Sequence, residues 1–287
     1  MTIMIGADPE FFLWDRDENM YVSAHGIVPG TKDKPYKIDG GAVQVDGTAI
    51  EFNVDPSKTA LEFEYNINRV ILKIRDMVPE KLEFKYVPSV TYKQEYWKKK
   101  IPDDCKILGC DPDFNAKIKQ YKPNPAPHID NRSTTRTGAG HIHIGWRKTG
   151  DLNDMDFFWD CRMLALEFDR IYKQIKEIWD KDNKREYMYG NGPVFRPKKY
   201  GIEIRQPSNA WLNYPLLYGF LFELCKSLLE NLKKGVTLKD EVKKYFTSFD
   251  FNSYKYIYVE PTEGYNKLAK DFNLPLFPYE PKEIASW

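Results

Sequence analysis

Gly138-Ala139-Gly140-His141-Ile142-His143-Ile144-Gly145-Trp146 is the stretch on which the reading of this chain turns, and it holds two of the four histidines. Side chains alternate along a strand, so His141 and His143 share one face while Ile142 and Ile144 share the other. The flanking glycines admit a ligand or a neighbouring backbone at close range. A His-x-His pair is a recurrent metal motif and also a common hydrogen-bonded structural pair. Alone it leaves both readings open.

The same period of two recurs in three acidic segments: Asp8 with Glu10, Glu51 with Asn53, and Glu203 with Arg205. Phe11, Phe12, Ile50, Phe52, Ile202 and Ile204 lie between and beside them, which predicts buried strands. Carboxylates on such strands are costly unless paired or metal-bound. A solvated outer face would account for any one of them, less comfortably for all. Oxygen donors with a histidine or two favour magnesium or manganese over zinc. There is no HExxH run, and Trp146-Arg147-Lys148 stands where a cupin would place a glutamate. GxxxxGK[ST] and a strand-borne GxGxxG are also missing, so any nucleotide must be held by metal and by loop cations. Arg132, Arg136, Arg196, Lys198 and Arg205 are the candidates.

Across 287 residues the apolar share is 42% and the aromatic share 15%, enough for a sizeable core and against global disorder. Lysine plus arginine number 43 against 42 acids, a net charge of +1 that offers no generic reason to bind nucleic acid or an anionic membrane. Cys105, Cys110, Cys161 and Cys225 have no disulfide or metal spacing and read as free thiols. The first residues lack a signal pattern and no segment is long enough to span a bilayer, so a cytoplasmic location is expected. Oligomeric state is left open.

Met1 to Leu13 reads as a buried strand interrupted at Asp-Pro, and Tyr21 to Gly47 as short strands with turns at Gly40-Gly41 and Asp46-Gly47. Ser57 is the expected cap of a helix whose buried face carries Ala60, Phe63, Ile67, Ile71, Ile74 and Val78. Strand-like alternation returns from Glu80 to Val87. Residues 88 to 137 read as long loops with short strands that cover the site. A long amphipathic helix runs from Phe158 to Trp179, a polar, mobile-looking stretch from Asp180 to Arg185, a strand from Tyr200 to Gln206, and a strongly apolar helix from Leu216 to Leu232. The last fifty residues read as helix, tyrosine-rich loop and a short helix near Lys267. Strands interleave with helices without a βαβ rhythm, which predicts an α+β domain with a mainly antiparallel sheet, a single unit with a helical portion from about 213 to 287.

GADPEFF (6–12), DGGAVQVDGTAIEFN (39–53), GCDPDFNA (109–116), GAGHIHIGW (138–146) and YGNGPVFRPKKYGIEIRQPSNAWL (189–212) together resemble the phage-type carboxylate–amine ligases, or amidoligases. That family belongs to the superfamily of glutamine synthetase and glutamate–cysteine ligase. The resemblance implies a curved antiparallel sheet forming a funnel flanked by helices, with ATP at one end and the acceptor at the other. It implies Mg2+ or Mn2+ between them and a small-molecule or peptide carboxylate and amine as substrates. Location would be the host cytoplasm if the chain is of phage origin. Carried over by motif, Glu10, Glu51, His143, Glu203 and Asp8 take metal. His141, Arg136, Arg196 and Lys198 take the nucleotide, and Arg205, Glu203 and Asp46 take catalytic positions. Many superfamily members have glutamate where Asp8 stands, so metal duty is safer for Glu10. Asp111 and Asp113 belong to a family motif whose role does not follow from the residues. A kinase-like phosphoryl transferase of the same fold and an inactive ATP- and metal-binding module are the alternatives.

Overall fold

The computed structural model describes residues 2–107, 113–125, 133–189, 192–238, 242–250 and 255–279. Cys110, Asp111 and Arg132 lie outside the described residues. The chain starts with β1 (Met4–Asp15), β2 (Met20–Val22), β3 (Tyr36–Ile38), β4 (Gly41–Asp46), β5 (Ala49–Ser57) and α1 (Ala60–Arg75). β6 (Leu82–Lys85), β7 (Ser89–Thr91), α2 (Gln94–Lys100), α3 (Asp103–Lys106), β8 (Phe114–Asn115) and β9 (Thr135–Thr137) follow. Then come β10 (Gly140–Gly145), α4 (Met155–Ile175), α5 (Lys184–Met188), β11 (Val194–Lys198), β12 (Gly201–Ile204) and α6 (Leu216–Lys233). α7 (Lys243–Phe246), β13 (Thr247–Asp250), β14 (Lys255–Tyr258) and α8 (Pro261–Asp271) complete the order.

The architecture is α+β. The main sheet runs β3-β4-β5-β1-β10-β12-β11-β8, with β2 and β6 paired to the far end of β1. Every ladder in it is antiparallel. β1 is long enough to hold both neighbours: its first half pairs β10 and β5, its last residues β6 and β2.

Alternation divides the sheet into two unlike faces. Ile5, Ala7 and Phe11 of β1 join Phe52, Ile142, Ile144, Ile202, Ile204 and Phe195 in one apolar cluster that extends to Phe277. α1, α4 and α6 cover this face. Each such side chain, fully buried, is worth about 1.5–3 kcal/mol, which makes this layer the main stabilising one. The C-terminal helices share that cluster, through Leu224, Leu228 and Leu268.

Several boundaries differ from the sequence expectation for identifiable reasons. Ser57 is the last residue of β5, paired with Ile5, and the helix cap passes to Thr59. Thr59 accepts from the Glu62 amide at 3.2 Å and Glu62 accepts from the Lys58 amide at 2.7 Å, a near-reciprocal cap. Within 88 to 137, α2 forms on a single apolar anchor, Trp97, too weak a period to read in a lysine-rich run. Val194–Lys198, for which the sequence reading offers no state, is a strand paired to β12. The tyrosine-rich tail region contains the β13–β14 hairpin.

The opening glycines serve backbone packing. A carbon added at Gly140 would sit 2.2 Å from the Ser208 carbonyl and 2.4 Å from Trp211 Nε1. Trp211 donates to the Gly140 carbonyl at 3.1 Å, which clamps the 207–211 segment onto β10. Gly140→Ala is expected to lower the unfolding free energy by roughly 1–3 kcal/mol, the usual cost of overpacking. Gly145→Ala, whose added carbon meets nothing nearer than 3.6 Å, should stay within about 1 kcal/mol of the parent. Urea midpoints measure the difference, and equal midpoints would deny Gly140 its role.

Candidate functional site

The second face of the sheet is polar because the ladder registers align the acidic and histidine positions. Asp8 pairs with His141, Glu10 with Glu51, Glu51 with Gln44, His143 with Glu203, and Glu203 with Arg196. Six adjacent strands, β4-β5-β1-β10-β12-β11, therefore present their functional side chains on one surface. Charge is sorted across it: carboxylates on β4, β5 and β1, imidazoles on β10, and cations around Glu203 on β12 and β11.

At the acidic end, donor oxygens of Glu10, Asp46 and Glu51 lie within 4.8 Å of one another. Glu10 accepts from the Ala139 amide at 3.0 Å and Glu51 from Gln44 Nε2 at 2.7 Å. Gln44 Oε1 is buried with no hydrogen-bond partner. Burial, with the Asp46 charge beside it, pushes the Glu10 carboxyl up to about 7. Burial and the charges of Asp8, Glu10 and Asp46 raise Glu51 well above the carboxylate range. Three carboxyl groups and an unsatisfied amide oxygen make a donor set suited to a hard divalent cation, which would relieve the repulsion.

In the middle, Asp8, His141 and Glu203 form a second set within 4.8 Å. His141 Nδ1 stands 3.4 Å from Asp8 Oδ1 and 3.5 Å from Glu203 Oε1. His143 was expected on the metal and His141 on the nucleotide; the structure instead gathers His141 with the two carboxylates. His143 Nδ1 shares a hydrogen bond with the Tyr200 hydroxyl, while Nε2 stands 3.0 Å from Asp8 Oδ1 without hydrogen-bond geometry. Burial alone would raise Asp8, but His143 and His141 outweigh it and hold it far below its usual range. Burial with the Arg205 charge lowers His141 to about 4. Burial works against protonated His143 and Asp8 overcomes it, raising that histidine. The two imidazoles are thus shifted in opposite directions, His141 down and His143 up.

Glu203 is 1% exposed and crowded by cations. Lys198 lies 2.9 Å and Arg196 3.1 Å from Oε2, and Arg205 donates to Oε1. Burial and Asp8 push its carboxyl up, and His141, Arg205 and His143 prevail, leaving it at about 2. Arg205 also reaches Asp113 at 3.1 Å, which Asn124 holds at 2.9 Å. The motif acid Asp113 is therefore a partner that orients Arg205.

Arg136 is placed apart from the sheet. Its guanidinium lies 4.2 Å above the Trp97 ring and donates to the carbonyls of Ser133, Thr135 and Lys106. Trp97, Phe12, Ala49, Val90 and Cys105 make a small second core over the acidic end, the cover expected of residues 88 to 137.

Three site residues have no signature in the sequence: Gln44, Tyr200 and Arg185. Asp180 to Arg185 looked polar and mobile, yet Asp180 accepts from Ser208 at 2.5 Å and Arg185 donates to the carbonyls of Gln206 and Arg205 at 2.8 and 2.9 Å. Such contacts join segments far apart in sequence, and local periodicity carries no trace of them.

Two cavities open on the polar face. One of about 90 Å³ is lined by Glu10, Asp46, Arg136, His141, Arg185 and Arg205 among others. The other, of about 750 Å³, is lined by Gly6, Lys37, Asn53, His143, Arg147, Tyr200 and neighbours. The two histidines thus face different cavities. Among the described residues no helix is long and apolar enough to cross a membrane. Comparison of the chain with protein-family models and with curated proteins finds no match.

Glu51→Gln keeps an acceptor for Gln44 and removes one of the three crowded carboxyl groups. It is expected to raise the thermal midpoint of the metal-free protein and to abolish the upward shift that saturating Mg2+ or Mn2+ gives the parent. Ligand linkage makes that shift about 2.7 kcal/mol at a hundred times Kd. A parent that neither ion stabilises would sink the cation reading.

Proposed function

We propose that the chain is an ATP-dependent carbon–nitrogen ligase that joins a carboxylate to an amine. The observation that carries this reading is the sorted polar face: two carboxylate-bearing donor sets beside a cluster of cations, on adjacent strands of one sheet. Metal–triphosphate needs both, oxygen donors for the ion and cations for the phosphate oxygens. The five sequence motifs that resemble the phage-type amidoligases point the same way, and the polar face would form the wall of the expected funnel.

A carboxylate is a poor electrophile. Transfer of the γ-phosphoryl group of ATP to its oxygen gives an acyl phosphate and ADP, and attack of the amine on the acyl carbon expels phosphate and leaves an amide. Glu10, Asp46 and Glu51, with Asp8, His141 and Glu203, would hold Mg2+ or Mn2+. Such ions neutralise charge on the transferring phosphoryl group. Arg196 and Lys198, beside Glu203, offer donors to phosphate oxygens. Arg205, its planar fork fixed between Glu203 and Asp113, is preorganised for the same charge.

Cavity size separates the ends. Ligand pockets usually run to roughly 300–1,000 Å³, so the larger cavity admits a nucleoside and the smaller does not. Lys37, Arg147 and Lys148 at the larger one suit a polyphosphate tail.

Incubation with ATP, Mg2+ and pooled amines and carboxylates should give ADP, phosphate and a product lighter by one water than its two substrates. Glu203→Gln should cut turnover by about a hundredfold or more, roughly 2.7 kcal/mol of barrier, with circular dichroism unchanged. A phosphorylated acceptor without phosphate release would instead identify a kinase. Nucleotide binding indifferent to chelation of divalent ions would count against both.

A further inference from the structure

The 90 Å³ cavity contains charges that the described protein does not pair. Arg136 and Arg185 are 4% and 3% exposed. All their hydrogen bonds run to neutral main-chain carbonyls, and Arg136 Nε has no partner. Among the described residues, no carboxylate lies within ion-pair distance of either. A guanidinium does not shed its proton on burial, so two full positive charges here need an anion. Arg205, the third cation, is answered by Glu203 and Asp113.

Glu10 and Asp46 line the same cavity, and no lysine or arginine among the described residues pairs with them. Arg185 is near enough to Glu10 to lower its carboxyl and too far to bond it. Each carboxylate gives one oxygen to the cation set described above; Glu10 Oε2 also accepts from the Ala139 amide, and a carboxylate oxygen has lone pairs for a further donor. The cavity therefore has a positive end on which Glu10 and Asp180 act only from beyond bonding distance, and a negative end that no lysine or arginine of the described residues pairs. Its volume of about 90 Å³ is well below the roughly 300–1,000 Å³ of pockets for drug-sized ligands, which suits a compact molecule.

We infer that this cavity seats a small free amino acid, carboxylate on Arg136 and Arg185 and ammonium toward Glu10 and Asp46. The amine substrate is then an amino acid and not a plain amine. The chemistry rests on the ligase reading; the binding does not.

Titration calorimetry on the full chain with Mg2+ tests it, using glycine, L-alanine, ethylamine, propionate and inorganic phosphate. L-alanine or glycine should bind, with ethylamine and propionate, each lacking one charge, at least about tenfold weaker, as loss of a charge-assisted contact predicts. Arg185→Met should weaken amino-acid binding by about tenfold or more and leave Mg-ATP affinity within about twofold. Arg185→Lys, which keeps the charge, should recover part of the loss, and thermal melts show whether each variant is folded. Propionate or phosphate binding as tightly as L-alanine, ethylamine doing so, no amino-acid binding at all, or a folded Arg185→Met with full affinity would each overturn the inference. Amino-acid binding without any ATP turnover would keep it and remove the ligase reading. Turnover supported equally by ethylamine would do the reverse.

Discussion

Asp8 stands across from His141 on the β1–β10 ladder and reaches toward His143 at 3.0 Å, and this contact joins the halves of the polar face. On one side lie carboxyl groups that repel one another; on the other, cations surround a single buried glutamate. Without the imidazoles between them, Asp8 would add its charge to the acidic set and Glu203 would lose a partner. The ladder also fixes the relation rigidly, since a slip of one residue would turn every functional side chain onto the helix-covered face. Position on this face is therefore set by main-chain pairing, and electrostatics is tuned within it.

The apolar face is what makes such an arrangement affordable. Phe11, Phe52, Phe195 and the isoleucines of β10 and β12 pack against three helices, and their burial offsets the repulsion stored on the other side. Pro9 fits the same division of labour. It lacks a donor, yet it lies on the central strand, and the β5 ladder bonds β1 on either side of it, at Ala7 and Glu10. The strand stays continuous and Asp8 and Glu10 keep one face.

Much of the polar face was legible because period-two alternation is a local property. Asp8, Glu10, Glu51, His141, His143 and Glu203 each announce themselves by the apolar residues beside them. What was not legible depends on long reach. Arg185 gains its place from carbonyls twenty and more residues away, Tyr200 from a histidine on another strand, and Gln44 from its pairing to Glu51. The choice between the two histidines also needed geometry, because alternation puts both on one face and cannot say which cavity each one meets. Arg136 was chosen by residue type, and only the fold shows both that its own hydrogen bonds go to main-chain carbonyls and that it lines the cavity of Glu10 and His141.

That loop layer bears on how the site works. Phe12, Ala49 and Cys105 of the small core line the same cavity as Glu10 and Asp46, and loss of water around Glu10 and Glu51 is the leading cause of their raised carboxyls. Exposed to water, the same groups would ionise freely and hold a cation or an ammonium only weakly. Covered, each carries a standing cost that only a positive partner removes. The stability forgone in the empty state is thereby available as binding energy in the filled one, which is how a half-buried cluster of acidic groups persists in a folded protein.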